Sequence, residues 1–132
     1  MAKVIGLGGV FIHHQGDVHA LYDWYEKHFG MDFTNYGSGF IDGHQLMVVS
    51  FKRGKEEQTP YLNFRVDDLD AMIDQLKQIN TRIISDIETF DYGKFATIED
   101  PFGNRIELWE AYEKTYKKMV IKEIKDYQTQ KK

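Results

Sequence analysis

Apolar and polar residues alternate with a period of two from Arg105 to Trp109, so Ile106 and Leu108 share one side and Arg105, Glu107 and Trp109 the other. That alternation predicts a strand buried on one side. Ahead of it, Asp100-Pro-Phe-Gly-Asn104 predicts a chain reversal, because Pro101 fixes φ for a turn and Gly103 tolerates positive φ. The stretch Ile98 to Trp109 therefore reads as strand, tight turn, strand, with one carboxylate, Glu107, inside the second strand. Two readings of its polar side stay open on this stretch alone: the wall of a cleft, or the solvated side of a half-buried antiparallel sheet.

The same pattern reading, carried along the chain, finds one arrangement twice. In the first half Val4 to His14 is strand-like, and Asp17 is the N-cap of a helix running to about Phe29 and ending at Gly30, with Leu21, Trp24, Tyr25 and Phe29 as its apolar positions. Short strands are predicted at Asp32 to Tyr36 and Gly39 to Ile41, then the apolar run Leu46 to Phe51. In the second half Pro60 to Val66 is the strand, and Asp67 or Asp68 caps a helix to about Ile79 with Leu69, Met72, Ile73 and Leu76 inward. Strands follow at Arg82 to Ile87, Lys94 to Glu99 and Arg105 to Glu110. A shift of 51 lays Asp17 to Asp23 on Asp68 to Asp74, and a shift of 60 lays Asp42 to Val48 on Phe102 to Leu108. A βαβββ unit with an exposed sheet edge cannot bury its apolar side alone, so two copies are expected to pair around a shared concavity.

Composition narrows the class. At 132 residues, with 42% hydrophobic and 14% aromatic residues, the chain suits one domain, or two small halves sharing a core. It has no cysteine, hence neither a disulfide framework nor a thiolate. No apolar run approaches a membrane span and no signal peptide is visible, which leads to the expectation of a cytoplasmic protein without a membrane partner. A net charge of -4 argues against nucleic acid as the main partner. That charge is unevenly spread: residues 113–132 hold seven Lys against three acidic residues, a balance of +4, which leaves -8 on residues 1–112. Within the basic segment Tyr116, Val120, Ile124 and Tyr127 recur at helical spacing, predicting an amphipathic C-terminal helix that docks on the body or on a partner subunit; a frayed, solvated tail is the alternative.

Taken in order, Gly8 to Ile12 leading to Asp17, Trp24 to Met31, Asn63 to Asp70, Tyr92-Gly-Lys-Phe95 and Asp100 to Trp109 resemble the vicinal oxygen chelate superfamily, the glyoxalase, bleomycin resistance and extradiol dioxygenase group. The resemblance covers roughly residues 4–110 and implies an α+β fold of two paired βαβββ modules, about 1–52 and 59–112, forming a concave mixed sheet within a glyoxalase-like domain of residues 1–112. Residues 113–132 then add the C-terminal helix or tail. It also implies a homodimer and a divalent metal held by side chains on the first and last strands of each module, with open positions for substrate oxygens. In the repeat register those four positions fall on Val10, Met47, Tyr61 and Glu107, of which only Glu107 is typical of the family. Val10 and Met47 cannot serve a hard cation, and the phenol of Tyr61 ionises only near a pKa of about 10. The cofactor expectation is therefore none, or a divalent ion held through Glu107.

All five histidines lie in the first half. His14 shares strand parity with Val10 and is the best substitute ligand or general base, against the plainer reading of a half-exposed histidine at a strand end. Arg105, Tyr61, Asn63 and Trp109 share the predicted concave side and suit a planar or anionic small molecule. Tyr92 and Phe95, after the loop Glu88 to Asp91, either close the cleft or belong to core and rim. The acidic cluster Asp67, Asp68, Asp70 and Asp74 reads as helix capping and a solvated surface rather than as a cation site. Three functional expectations follow: a protein binding a small organic molecule with a degenerate metal site, a metal-dependent lyase, isomerase or dioxygenase using Glu107 with His14 or a second subunit's ligand, and a non-catalytic protein that sequesters a drug or antibiotic.

Overall fold

The structure, a computed structural model of the chain, describes residues 10, 12, 14, 16–33, 39–41, 43 and 62–130. The chain divides into two units, Met1–Ser50 and Phe51–Lys132, and the fold class is α+β, with three helices, a two-stranded ribbon and a four-stranded mixed sheet among the described residues. No helix among them is long and apolar enough to cross a membrane.

In the first unit, helix α1 spans Val18–Phe29. Asp17 Oδ1 accepts from the His19 backbone N–H at 2.9 Å and so caps it, and Gly30 ends it in the left-handed conformation. Tyr25 is buried, and its ring meets Trp24 and Phe29 edge-on. Strands β1 (Asp32–Phe33) and β2 (Gly39–Phe40) form an antiparallel ribbon, and Phe33 stacks on Tyr22 of α1. Val10, Ile12 and His14, the described members of the predicted first strand, lie outside any strand, while the predicted run Leu46 to Phe51 lies outside the described residues.

The second unit is a complete βαβββ arrangement followed by a helix: β3 (Leu62–Arg65), α2 (Leu69–Gln78), β4 (Arg82–Phe90), β5 (Gly93–Glu99), β6 (Arg105–Ala111) and α3 (Glu113–Gln130). The sheet order is β3-β6-β5-β4, with β3 parallel to β6 and the other two pairs antiparallel. Leu62 pairs with Ile106, Ala96 with Leu108 and Ile98 with Ile106, so these buried side chains share one side of the sheet. Against them sit the buried Leu69, Ile73 and Leu76 of α2, spaced to line one stripe of the helix. Each fully buried aliphatic side chain stabilises the fold by about 1.5–3 kcal/mol before ordering costs.

Between the two duplicate-residue candidates for the α2 cap, the structure selects Asp68, whose Oδ1 accepts from the Ala71 N–H at 3.0 Å. Glu110, at the end of β6, adds a second acceptor at that terminus by taking the Leu69 N–H at 2.9 Å, satisfying another of the helix's orphan donors. The helix ends where Asn80 enters the left-handed region at φ 61°, a conformation that asparagine tolerates.

One predicted boundary is corrected, and the expected C-terminal helix is present. Glu88 to Phe90 are not loop: β4 runs on to Phe90, which pairs with Gly93 across a two-residue turn, Asp91–Tyr92. Thr89 and Phe90 favour extended backbone, and Gly93 lets the returning strand come close to β6. A Cβ at Gly93 would lie 2.5 Å from the Glu110 carbonyl oxygen. The C-terminal segment is helical over Glu113–Gln130, yet of its apolar stripe only Tyr116 is buried, while Ile124 and Tyr127 are exposed. The cause is reach: α3 starts two residues after β6 ends, and Ile124 lies about 12 Å along the helix axis beyond Tyr116.

Candidate functional site

The side of the second-unit sheet away from α2 carries the polar residues. By register, Asn63 on β3 and Thr97 on β5 both lie directly opposite Glu107 on β6, within the separation at which cross-strand side chains interact. Asn63 Nδ2 donates to Glu107 Oε1 at 2.6 Å. Glu107 and Thr97 are half-buried and Asn63 is exposed, so the carboxylate is held from one side and open from another. Arg105 precedes Glu107 on the same side and pairs in register with Glu99, which in turn accepts from Arg82 of β4 at 3.0 Å. The centre of this surface is thus an acceptor carboxylate flanked by an amide, a hydroxyl and a guanidinium.

One end of the surface is closed by aromatic packing. Trp109, two residues beyond Glu107 on that side, stacks face to face on Phe95 with centroids 4.9 Å apart, and Tyr116 of α3 meets it edge-on at 4.8 Å. The Arg65 guanidinium lies 4.3 Å from the Trp109 centroid and reaches Glu113 Oε1 at 2.7 Å. Trp109 is consequently only 4% exposed. Tyr92 stacks on Phe90 and meets Phe95 edge-on, so Tyr92 and Phe95, both half-buried, form the border between the aromatic end and the open surface.

The structure brings together Asn63, Arg105, Glu107, Trp109, Phe95 and Tyr92 on or beside one sheet surface of the second unit. Val10 and His14 belong to the first unit, where Val10 is 61% exposed and His14 half-buried. Met47 and Tyr61 lie outside the described residues. Sequence reasoning missed Thr97 and Arg65. Thr97 is marked by its parity with Phe95 and Glu99 in the predicted strand, whereas Arg65 has no local signal, because its role depends on where α3 returns.

The family resemblance implies a divalent metal at Glu107, and the donors described around it do not fit one. Asn63 presents its N–H group, not its carbonyl oxygen, to the carboxylate, whereas a cation there requires oxygen or nitrogen lone pairs aimed at it. Among the described residues no group of three or more His, Asp or Glu side chains is gathered for a metal ion.

Residues 14–108 match the family model described as Glyoxalase/Bleomycin resistance protein/Dioxygenase superfamily. Among solved structures, one described as a "conserved domain protein" is 15% identical, with 74% of this chain and 92% of that one covered and a TM-score of 0.50. A member of the glyoxalase/bleomycin resistance protein/dioxygenase superfamily from Sphaerobacter thermophilus DSM 20745 is 17% identical, covering 79% and 99%, with a TM-score of 0.49. A glyoxalase/bleomycin resistance protein/dioxygenase from Alicyclobacillus acidocaldarius is 15% identical, covering 76% and 87%, with a TM-score of 0.45. None of the curated proteins matches the chain.

Proposed function

The chain belongs to the Glyoxalase/Bleomycin resistance protein/Dioxygenase superfamily, and from that premise we propose that the polar sheet surface of its second unit binds a small organic molecule, with Glu107 as the acceptor that orients it. The observation that carries this reading is the Asn63 to Glu107 hydrogen bond at 2.6 Å on an otherwise apolar-cored sheet. A half-buried carboxylate with one fixed partner has further lone pairs to offer a ligand hydroxyl, amine or amide. Arg105 supplies positive charge beside it for a carbonyl or carboxylate on the same ligand, and Phe95 supplies an aromatic border for its apolar part. The ligand this arrangement suits carries a hydrogen-bond donor and an anionic or carbonyl group on a compact, partly planar frame.

A thermal-shift screen of such compounds tests the reading, since a ligand bound only by the native state raises its stability. Saturable binding is expected, weakened in Glu107→Gln by about 1.5–3 kcal/mol, the worth of a hydrogen bond to a charged group. Recovery of the ligand unchanged after incubation distinguishes sequestration from turnover. One stoichiometric divalent ion found by elemental analysis of protein purified without chelators, and lost in Glu107→Gln, would overturn the metal-independent form of the proposal in favour of a metal-dependent lyase, isomerase or dioxygenase.

A further inference from the structure

The polar surface does not end at Glu107. Thr97 on β5 stands directly opposite it, and Ser85 on β4 stands opposite Thr97. Asn63, Glu107, Thr97 and Ser85 therefore form one row across the strands β3, β6, β5 and β4, an amide, a carboxylate and two hydroxyls spaced at about the 4.8 Å that separates neighbouring strands. Ser85 owes its place to an irregularity. Ile83 pairs with Ile98, so uninterrupted pairing would set Ile84 opposite Thr97. An extra residue in β4 sets Ser85 there instead, and a second register shift follows before Glu88. Bulges re-aim side chains in this way. Here the effect is to continue a polar row with a hydroxyl where an isoleucine would break it.

Thr97 and Ser85 are both half-buried, and among the described residues neither hydroxyl has a hydrogen-bond partner. Each offers one donor and two acceptor sites. On the reading that Glu107 is the acceptor that orients a ligand, we infer that the row takes a molecule with two hydroxyl groups on alternate carbons of a six-membered ring. One hydroxyl donates to Glu107 Oε2, since Asn63 takes Oε1. The other meets Thr97 Oγ1, and a polar substituent beside it reaches Ser85 Oγ. Strand spacing makes the selection. Oxygens on alternate ring carbons lie at about the separation of neighbouring strands, whereas those on adjacent carbons lie too close together and those on opposite carbons too far apart. Phe95, two residues from Thr97 on the same side of β5, gives the ring its aromatic neighbour.

Nuclear magnetic resonance titrations of the full chain with resorcinol, catechol and hydroquinone test this inference, because the three differ only in where the ring carries its hydroxyls. The reporters are the Asn63 side-chain amide and the Thr97 backbone amide. Resorcinol is expected to shift both and to bind at least about fivefold more tightly than either isomer, the worth of one further neutral hydrogen bond. Thr97→Val, which keeps a branched side chain of similar size, is expected to abolish that preference. The amide of 2,4-dihydroxybenzamide extends toward Ser85, so this compound is expected to bind more tightly than resorcinol to the wild type but not to Ser85→Ala. An amide spectrum unchanged away from the row reports that each variant keeps its fold, and the isomer comparison needs the wild type alone. Equal affinity for the three isomers, a resorcinol preference unchanged in Thr97→Val, or an advantage of 2,4-dihydroxybenzamide that survives Ser85→Ala would overturn the inference while leaving binding at Glu107 standing. Resorcinol that leaves the Asn63 amide unmoved would overturn it as well, and the effect of Glu107→Gln on ligands from the thermal-shift screen then decides the broader reading separately.

Discussion

At Asp100 one carboxylate accepts the backbone N–H groups of Phe102 at 2.9 Å and Asn104 at 2.8 Å, and the Asn104 side-chain amide at 2.8 Å, while remaining only 3% exposed. It folds the turn that launches β6, so it sets the start of the strand on which Glu107 stands. Asp100→Ala removes three hydrogen bonds to half-buried donors and is expected to lower stability by about 1–3 kcal/mol in all, read as a fall in the denaturant midpoint. The sequence shows this turn through Pro101 and Gly103, and Gly103 does adopt positive φ, at 88°. The burial of Asp100 was not legible there, because an aspartate before proline is read as a surface residue. Gly93 gives a second residue-scale test. With φ at 157° and the β6 backbone against its Cα, Gly93→Ala is expected to cost about 1–3 kcal/mol through strain and displaced pairing, measured in the same way.

Among elements, α2 and the sheet were the most legible and α3 the least. The stripe Leu69, Ile73 and Leu76 and the alternation in β6 are local patterns, so period alone finds them. Where α3 turns back over Trp109 depends on the long-range grip of Arg65 on Glu113, which no period encodes. Arg65→Met is expected to loosen the first turns of α3, seen as faster amide exchange over residues 113–118 with little change in the α2 core. The helix-to-sheet ion pairs give the second unit a mild pH dependence. The Ile87 backbone N–H and then Lys77 hold Asp86 below its ordinary value of 3.8. Its contribution is therefore present above 3.8 and lost as pH falls through the lowered folded value. Asp70 chiefly raises Lys94 above its ordinary 10.5, so that contribution is complete below 10.5 and is lost as pH climbs through the raised value. Asp86→Asn is expected to lower the denaturant midpoint slightly at neutral pH and to match the wild type in strong acid, where both side chains are neutral. A difference that persists in strong acid would contradict the assignment.

On the scale of the whole molecule, the duplicated pattern and the order of its motifs pointed to the superfamily that the match over residues 14–108 establishes. The candidate site was legible only in part. Strand parity put Asn63, Arg105, Glu107 and Trp109 on one side, and register places them so, but parity could not show that Trp109 is covered while Glu107 stays open. That division follows from tertiary packing of Tyr116 and Arg65, and it shortens the proposed binding surface to the region around Glu107. The most direct test is a titration of isotope-labelled protein with a compound from the thermal-shift screen, followed through the Asn63 side-chain amide and the Thr97 and Glu107 backbone amides. Saturating shifts centred on those three, and lost in Glu107→Gln, are the predicted result. Shifts that leave the Asn63 amide unmoved while the compound binds elsewhere with unchanged affinity in Glu107→Gln would contradict the account.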